Sequence, residues 1–203
     1  AADINLSLAF EVLDYALLSA PGAPLKQALL DAKIGKDIYG SFEDGIKQTY
    51  FSIVAKGANL SQKEEFVKVI RDTLTKIMEE GIDKKAVTAG INYYEFRFRE
   101  ADFSSYPKGL MYGLDILSSW LYDDTKPFCE VQLLEGFEFL KKALEEGYFE
   151  DLIRKYLLDN THGAILSLVP EKGLAAKRDK ELEEKLENYR KSLSDEELTR
   201  MVE

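Results

Sequence analysis

With 203 residues, 45% of them apolar and 11% aromatic, the chain is long enough for one domain with a substantial core, or one domain plus an appendage. A formal net charge of −10 argues against nucleic acid as a partner, because phosphate recognition needs a basic face; an acidic surface suits basic partners instead. The single cysteine, Cys129, excludes an internal disulfide and fits the cytoplasm or another reducing compartment. No apolar run approaches the roughly 20 residues of a membrane span, so no membrane partner is expected. "AADINLSLAF" carries an acid where a signal peptide has its basic region. The chain opens directly on a helix pattern without Met and breaks off within another, so it is expected to be a piece of a longer protein.

Residues 5 to 19 read as a helix, with Leu6, Phe10, Leu13 and Leu17 at helical spacing. "SAPGAP" ends it through two prolines and a glycine, and "LKQALLDA" gives a second, short helix. In "IYGSFEDGIKQTYFSIVAKG" the alternation of Thr49, Phe51, Ile53 and Ala55 with Tyr50, Ser52 and Val54 has the period of a strand. "EDG" before it is turn chemistry, so residues 37 to 56 are predicted as two strands or one strand with a kinked entry. "SQKE" at 61 to 64 reads as a capping box opening a long helix. Phe66, Val67, Ile70, Leu74 and Ile77 line its inner face, and Gly81 closes it.

Asp83 starts the next helix. There Ile91, Tyr94 and Phe98 form one stripe, widened by Tyr93, Phe96 and Phe103, and Glu95 and Arg99 stand four residues apart in the favourable order. Pro107 fits the first turn of a helix over 107 to 122, which carries only Lys108 and Asp115 as charges; being apolar nearly all round, it is predicted to be central and buried. One or two helices follow over 130 to 159, with Gly147 as the break, and "HGAILSLVP" reads as a short strand. From Gly173 the composition turns heavily charged. Leu182, Leu186, Tyr189 and Leu193 make a narrow stripe, and "SDEE" at 194 to 197 caps a second arm. The predicted class is α+β and helix-rich, several helices packed on a small, mostly antiparallel sheet over residues 1–170, with a charged helical hairpin arm at 171–203.

No constellation of catalytic or metal-binding residues emerges. His162 is the only histidine, so neither a zinc site nor a hydrolytic triad can be assembled with Cys129 or the serines; His162 reads as a helix-exit or surface residue and Cys129 as a buried or half-buried bystander. "GSFEDGIK" has glycines at phosphate-loop spacing, but Ile46 replaces the lysine and two acids lie inside the loop. The adjacent carboxylates, such as Glu64 and Glu65, point about 100° apart on a helix and are read as solvated faces. "YYEFRFRE" mixes bases and aromatics, but its helical phase sends the rings to the core.

The order of the motifs carries more. "AFEVLDYALLSAPGAPLKQALLDAKIGKDIYGSFEDGIKQTYFSIVAKGAN" resembles the second, non-catalytic α/β domain of the insulinase/pitrilysin zinc metallopeptidases. "FRFREADFSSYPKGLMYGLDILSSWLYD" and "LLDNTHGAILSLVPEKG" resemble its presequence-protease branch, and the charged helices after Pro170 resemble the start of the linker hairpin joining the enzyme's halves. The resemblance implies no catalytic residue, metal ligand or cofactor here, zinc being held by another domain of the parent enzyme. It implies a structural segment that walls a peptide-enclosing chamber and bears its hinge, with first strands missing. Its partners would be the remaining domains and unfolded peptides, and edges left open could drive self-association. In relatives an edge strand can pair with the substrate's N-terminal part by strand addition; the matching places here are Gly22 in the "PGA" loop and Ile38, Tyr39 and Gly40 at the strand start. The residues alone favour an ordinary turn and strand entry there. A standalone helical peptide- or protein-binding module is the alternative for the whole chain, disfavoured by the stop at Glu203 within an unfinished arm.

Overall fold

The computed structural model describes residues 3–101 and 103–202; Asp102, at the predicted helix junction, and Glu203, at the end of the second arm, lie outside them. By internal packing the chain divides into two units, Ala1–Ala164 and Ile165–Glu203.

In the first unit, helix α1 (Ile4–Asp14) is capped by Asp3, whose Oδ1 accepts from the Leu6 N–H at 3.1 Å. It runs on as a π turn, Tyr15–Ser19, so the predicted helix at 5 to 19 is present with a wider last turn that no residue pattern announces. Helix α2 (Pro24–Asp31) has Pro24 in its first turn, where the missing N–H costs nothing. Strands β1 (Asp37–Glu43) and β2 (Tyr50–Lys56) form an antiparallel hairpin, with Ile38 opposite Ala55, Gly40 opposite Ile53 and Phe42 opposite Phe51. The "EDG" turn chemistry lies in the connection, and the two-strand alternative is the one that forms.

Helix α3 (Lys63–Glu80) follows a 3₁₀ turn, Leu60–Gln62. Its capping box is made by Asn59 and Gln62, the Asn59 N–H donating to Gln62 Oε1 at 3.0 Å, not by the predicted Ser61 and Glu64. The extra 3₁₀ turn moves the start of the chain's coiling forward by two residues. Phe66, Ile70, Leu74 and Ile77 face the core as predicted, joined by Val69. Helix α4 (Lys84–Glu100) is capped by Asp83, which accepts from the Lys85 and Ala86 N–H groups. Ile91, Tyr94 and Phe98 face inward, but Tyr93 and Phe96 are exposed; a helix of this radius buries one stripe, and these rings fall outside it. Glu95 and Arg99 pair at 2.6 Å, and Lys141 closes on the other Glu95 oxygen at 2.7 Å.

Helices α5 (Lys108–Trp120), α6 (Leu134–Ala143) and α7 (Tyr148–Leu152) complete the unit, α7 continuing as a π segment, Ile153–Leu158. Helix α5 departs from expectation: of its thirteen residues only Ser119 is buried, and Leu110, Leu114 and Leu117 are exposed. Apolar composition requires a partner surface to become burial, and none of the described elements covers this face. The core forms instead around α1, which packs against α4, α6 and β1. Two glycines make the close approach possible: a Cβ on Gly90 would meet Tyr15 Cδ1 at 3.0 Å, and one on Gly136 would meet Leu8 Cδ1 at 2.7 Å. Phe10 sits at the centre of an aromatic cluster, stacked on Phe42 at 5.3 Å and edge-on to Tyr156 at 5.6 Å.

The predicted strand "HGAILSLVP" is not one: residues 160–170 carry no regular structure and are exposed, Leu168 almost fully. A strand exists only when another chain segment takes up its backbone groups, and none of the described segments does so. In the second unit, helices α8 (Leu174–Ser192) and α9 (Asp195–Val202) form the charged arms, and Ser194 and Glu197 make the reciprocal cap predicted at "SDEE". Leu182, Leu186 and Tyr189 of the stripe are exposed.

Candidate functional site

The candidate residues for peptide docking lie on the approach to β1 and on β1 itself. Gly22 occupies the turn between the π turn and α2, at φ +75, exposed, with no neighbouring atom within 4 Å of the position a Cβ would take. That conformation strains any L side chain. Ile38 is fully buried and belongs to the core, whereas Tyr39, next along the strand, points to solvent and is about half exposed. Gly40 turns inward again: a Cβ there would run into Leu18 Cδ1 and the Ser52 carbonyl, with Asp14 Oδ1 at 3.3 Å. Ile38 and Gly40 therefore fix the strand against the core, and only Tyr39 and the backbone remain to be offered. Each strand of the hairpin uses one edge for the other, and the described residues place no third strand on either remaining edge. Such an edge can take an added strand without any particular side chain.

Beside the hairpin lies a group of carboxyls, Glu11, Asp14, Asp44, Asp115 and Glu130. Burial pushes Glu11 of α1 up to about 7, with the charges of Asp44 and Glu130 adding to it. Burial, then Asp44 and Asp115, pushes Glu130 up to about 7 as well. Asp14, Asp44 and Asp115 are all held above the usual range, in each case chiefly by burial. Asp14 receives the Ser19 hydroxyl at 3.4 Å on one oxygen, while its other oxygen is buried without a hydrogen-bond partner. One cue was present in the sequence: Glu11 stands between Phe10 and Val12 on a helix whose neighbours are nearly all apolar. The rest of the group is a product of the tertiary packing of α1, the hairpin connection, α5 and the 3₁₀ turn Cys129–Val131.

None of this assembles reaction chemistry. Among the described residues no group of three or more His, Cys, Asp or Glu side chains is placed to hold a metal ion. His162 is exposed, its Nδ1 3.2 Å from Gln48 Nε2, and Cys129 is half-buried with its Sγ 3.4 Å from the Lys126 carbonyl. A shallow cavity of about 690 Å³ opens between α4, α5 and the Phe128–Leu134 stretch, with Tyr112, Ile116 and Phe128 in its wall.

Comparison with known proteins supplies the frame for this architecture. Residues 2–94 match the family model "Peptidase M16 inactive domain". The whole chain is 44% identical to Protein HypA of Clostridium perfringens, of which it covers 21%. Over 98% of its length it is 33% identical to presequence protease 1 (chloroplastic/mitochondrial) of Arabidopsis thaliana, covering 19% of that protein, and over 96% it is 28% identical to the mitochondrial presequence protease of Xenopus laevis. The chain thus spans about a fifth of the length of these curated relatives. In fold it is similar to a crystal structure from Bordetella parapertussis described as the inactive peptidase domain of a zinc protease, with a TM-score of 0.58, 11% identity, and 85% of this chain and 88% of that one covered. Residues 2–94 thus match the inactive domain of the M16 peptidases, and along nearly its whole length the chain is similar to one stretch of the presequence proteases.

Proposed function

We propose that this chain is a wall and hinge segment of a longer zinc metallopeptidase that encloses and degrades unfolded peptides. The observation that carries this is the collinear similarity to presequence protease 1 over 98% of the chain, with a family model for an inactive domain on its first half. In this reading residues 1–170 form the non-catalytic domain and 171–203 begin the linker arm. Zinc and the groups that use it lie in other domains, and the protein works in the cytoplasm or another reducing compartment, in keeping with the lone Cys129. The open edge of the hairpin at Ile38, Tyr39 and Gly40, with the Gly22 turn beside the start of α2, receives the N-terminal part of the substrate by backbone pairing. The same edge makes the separated chain prone to self-association at high concentration.

The test is hydrolysis of an unfolded peptide by the longer protein, with and without zinc chelation, beside this chain alone. Activity confined to the longer protein and abolished by chelation is expected. Hydrolysis by the chain alone, or a longer protein that binds no zinc and cleaves no peptide, would overturn the reading. For the docking edge, peptides N-methylated at alternate amides near their N-terminus should show a raised KM with kcat little changed. An unchanged KM refutes strand addition at this place. Light scattering that reports a clean monomer of the separated chain at high concentration counts against self-association.

A further inference from the structure

Helix α5 is inside out. Leu110, Leu114, Leu117 and Leu121 follow the four-three-four spacing by which one helix packs on another, and at 100° per residue they fall within about 60° of arc. A stripe of this kind faces a core in a chain that is complete around it. Here all four are exposed, Leu121 at 69% and Leu110 at 53%, and Trp120 beside them at 48%. The two charges of the helix, Lys108 and Asp115, lie on its other side. Burial raises the Asp115 pKa, and the charge of Asp44 adds to it. Ser119, also on that side, is the buried residue of the helix, its hydroxyl 3.2 Å from the Lys126 carbonyl. A helix normally puts its leucines in and its acids and serines out; this one does the reverse.

Two glycines flank the stripe. Gly109 and Gly113 stand one turn apart, next to Leu117 in the helical projection, and a Cβ on either would meet nothing within 4 Å. Nothing in the described fold needs glycine there, and glycine inside a helix is less stable than alanine. A smooth notch beside a leucine ridge lets a second backbone come close, which is the surface that a packed helix uses. The face carries no charge, so it does not select a charged ligand, and its width and spacing match a helix rather than an extended peptide.

We infer that the face made by Leu110, Leu114, Leu117 and Leu121, with its Gly109–Gly113 notch, docks a helix from another domain of the same longer polypeptide. The occupant is drawn from within the polypeptide because the matched relatives are about five times the length of this chain, leaving some four-fifths of such a protein to cover what is bare here. The helix also lies outside the stretch matched by the inactive-domain model, 2–94, yet inside the stretch aligned with the presequence proteases, so the docking face is assigned to that branch of the family. The inference rests on the reading of this chain as a segment of a longer protein, but not on that protein's activity or zinc.

The experiment places single cysteines at Leu114, at Leu117 and, as a control, at the exposed Lys68, in the longer protein and in this chain, both carrying Cys129→Ser. Maleimide labelling is read peptide by peptide by mass spectrometry. At positions 114 and 117 labelling is expected to be at least about tenfold slower in the longer protein than in this chain, as burial of an exposed thiol implies, with equal rates at position 68. Equal rates at 114 and 117 in the two proteins overturn the inference while leaving the peptidase reading intact, since activity is assayed separately. Protection in this chain alone that grows with its concentration would assign the face to a second copy. Protection in the longer protein only when an unfolded peptide is added would assign it to substrate. Either outcome refutes the proposal. Leu114→Met, which keeps the apolar contact, should leave a cysteine at position 117 as protected as before, and exposure of that cysteine would also refute it.

Discussion

Glu11 should make the protein less stable as the pH rises through neutrality. Its carboxyl is half-buried on α1 and is raised from the ordinary 4.5 to about 7, chiefly by burial and then by the charges of Asp44 and Glu130, with Arg97 opposing. The native state holds the proton more tightly than the unfolded chain does. Stability is therefore full below about pH 4.5, falls as the pH climbs toward 7, and levels off above it. The rise corresponds to about 3 kcal/mol between the protonation states, an upper figure for Glu11 alone because Glu130 titrates in the same range and the two interact. Glu11→Gln keeps the volume and removes the charge. Urea unfolding followed by far-UV circular dichroism near pH 8 should find the variant more stable than the parent by about 1–3 kcal/mol, and near pH 4 the two should coincide. In melting temperature, each 1 kcal/mol corresponds to about 2–4 °C for a domain of this size. A variant that is less stable near pH 8, or a difference that does not change with pH, would refute the argument that burial and like charge hold this carboxyl above its usual range.

Three further outcomes are expected from the packing. Phe137→Ala should cost about 3–5 kcal/mol in the same urea titration, because the ring is 1% exposed and packs against Phe98 at 6.1 Å between centroids; a cost below about 1 kcal/mol would mean that α6 is not anchored there. Gly40→Ala should destabilise by about 1–3 kcal/mol, since the new methyl meets Leu18 and the Ser52 carbonyl at once, whereas Gly22→Ala should cost only the strain of its positive φ, about 1 kcal/mol; equal costs would show that β1 does not press on the π turn. Asp83→Ala should lower stability by about 1 kcal/mol by freeing the Lys85 and Ala86 N–H groups, while Asp83→Asn should be nearly neutral, and equal losses would argue against the cap.

The local signals were strong wherever a few neighbouring residues settle the matter. Asp83 ahead of an apolar stripe, Gly81 at φ +92 and the Ser194–Glu197 reciprocal cap are short-range chemistry, and the helices begin and end there. The hairpin was legible for the same reason, since alternation of Phe51, Ile53 and Ala55 states both the strand and the face that turns inward. The shift of the capping box to Asn59 shows the limit of such signals: Ser61 and Asn59 both suit a cap, and a 3₁₀ turn decides between them.

Burial was another matter, because it belongs to pairs of surfaces. The predicted central helix became the exposed α5, and the predicted strand at "HGAILSLVP" became an exposed segment without regular structure. In both cases the residue pattern specifies what the segment needs, a covering helix or a neighbouring strand, without specifying where that partner comes from. The raised carboxyls behave likewise, since Glu11, Asp44 and Glu130 are far apart in the chain and acquire their mutual repulsion only when α1, the hairpin connection and the Cys129–Val131 turn are brought together. The sequence by itself determined most of the helices, the hairpin, the Asp83 and Ser194 caps and the order of motifs that resembles the M16 peptidases. The tertiary structure alone decided which apolar faces are used inside this chain and which are left for a partner, because apolar burial is driven by the area two surfaces remove from water together.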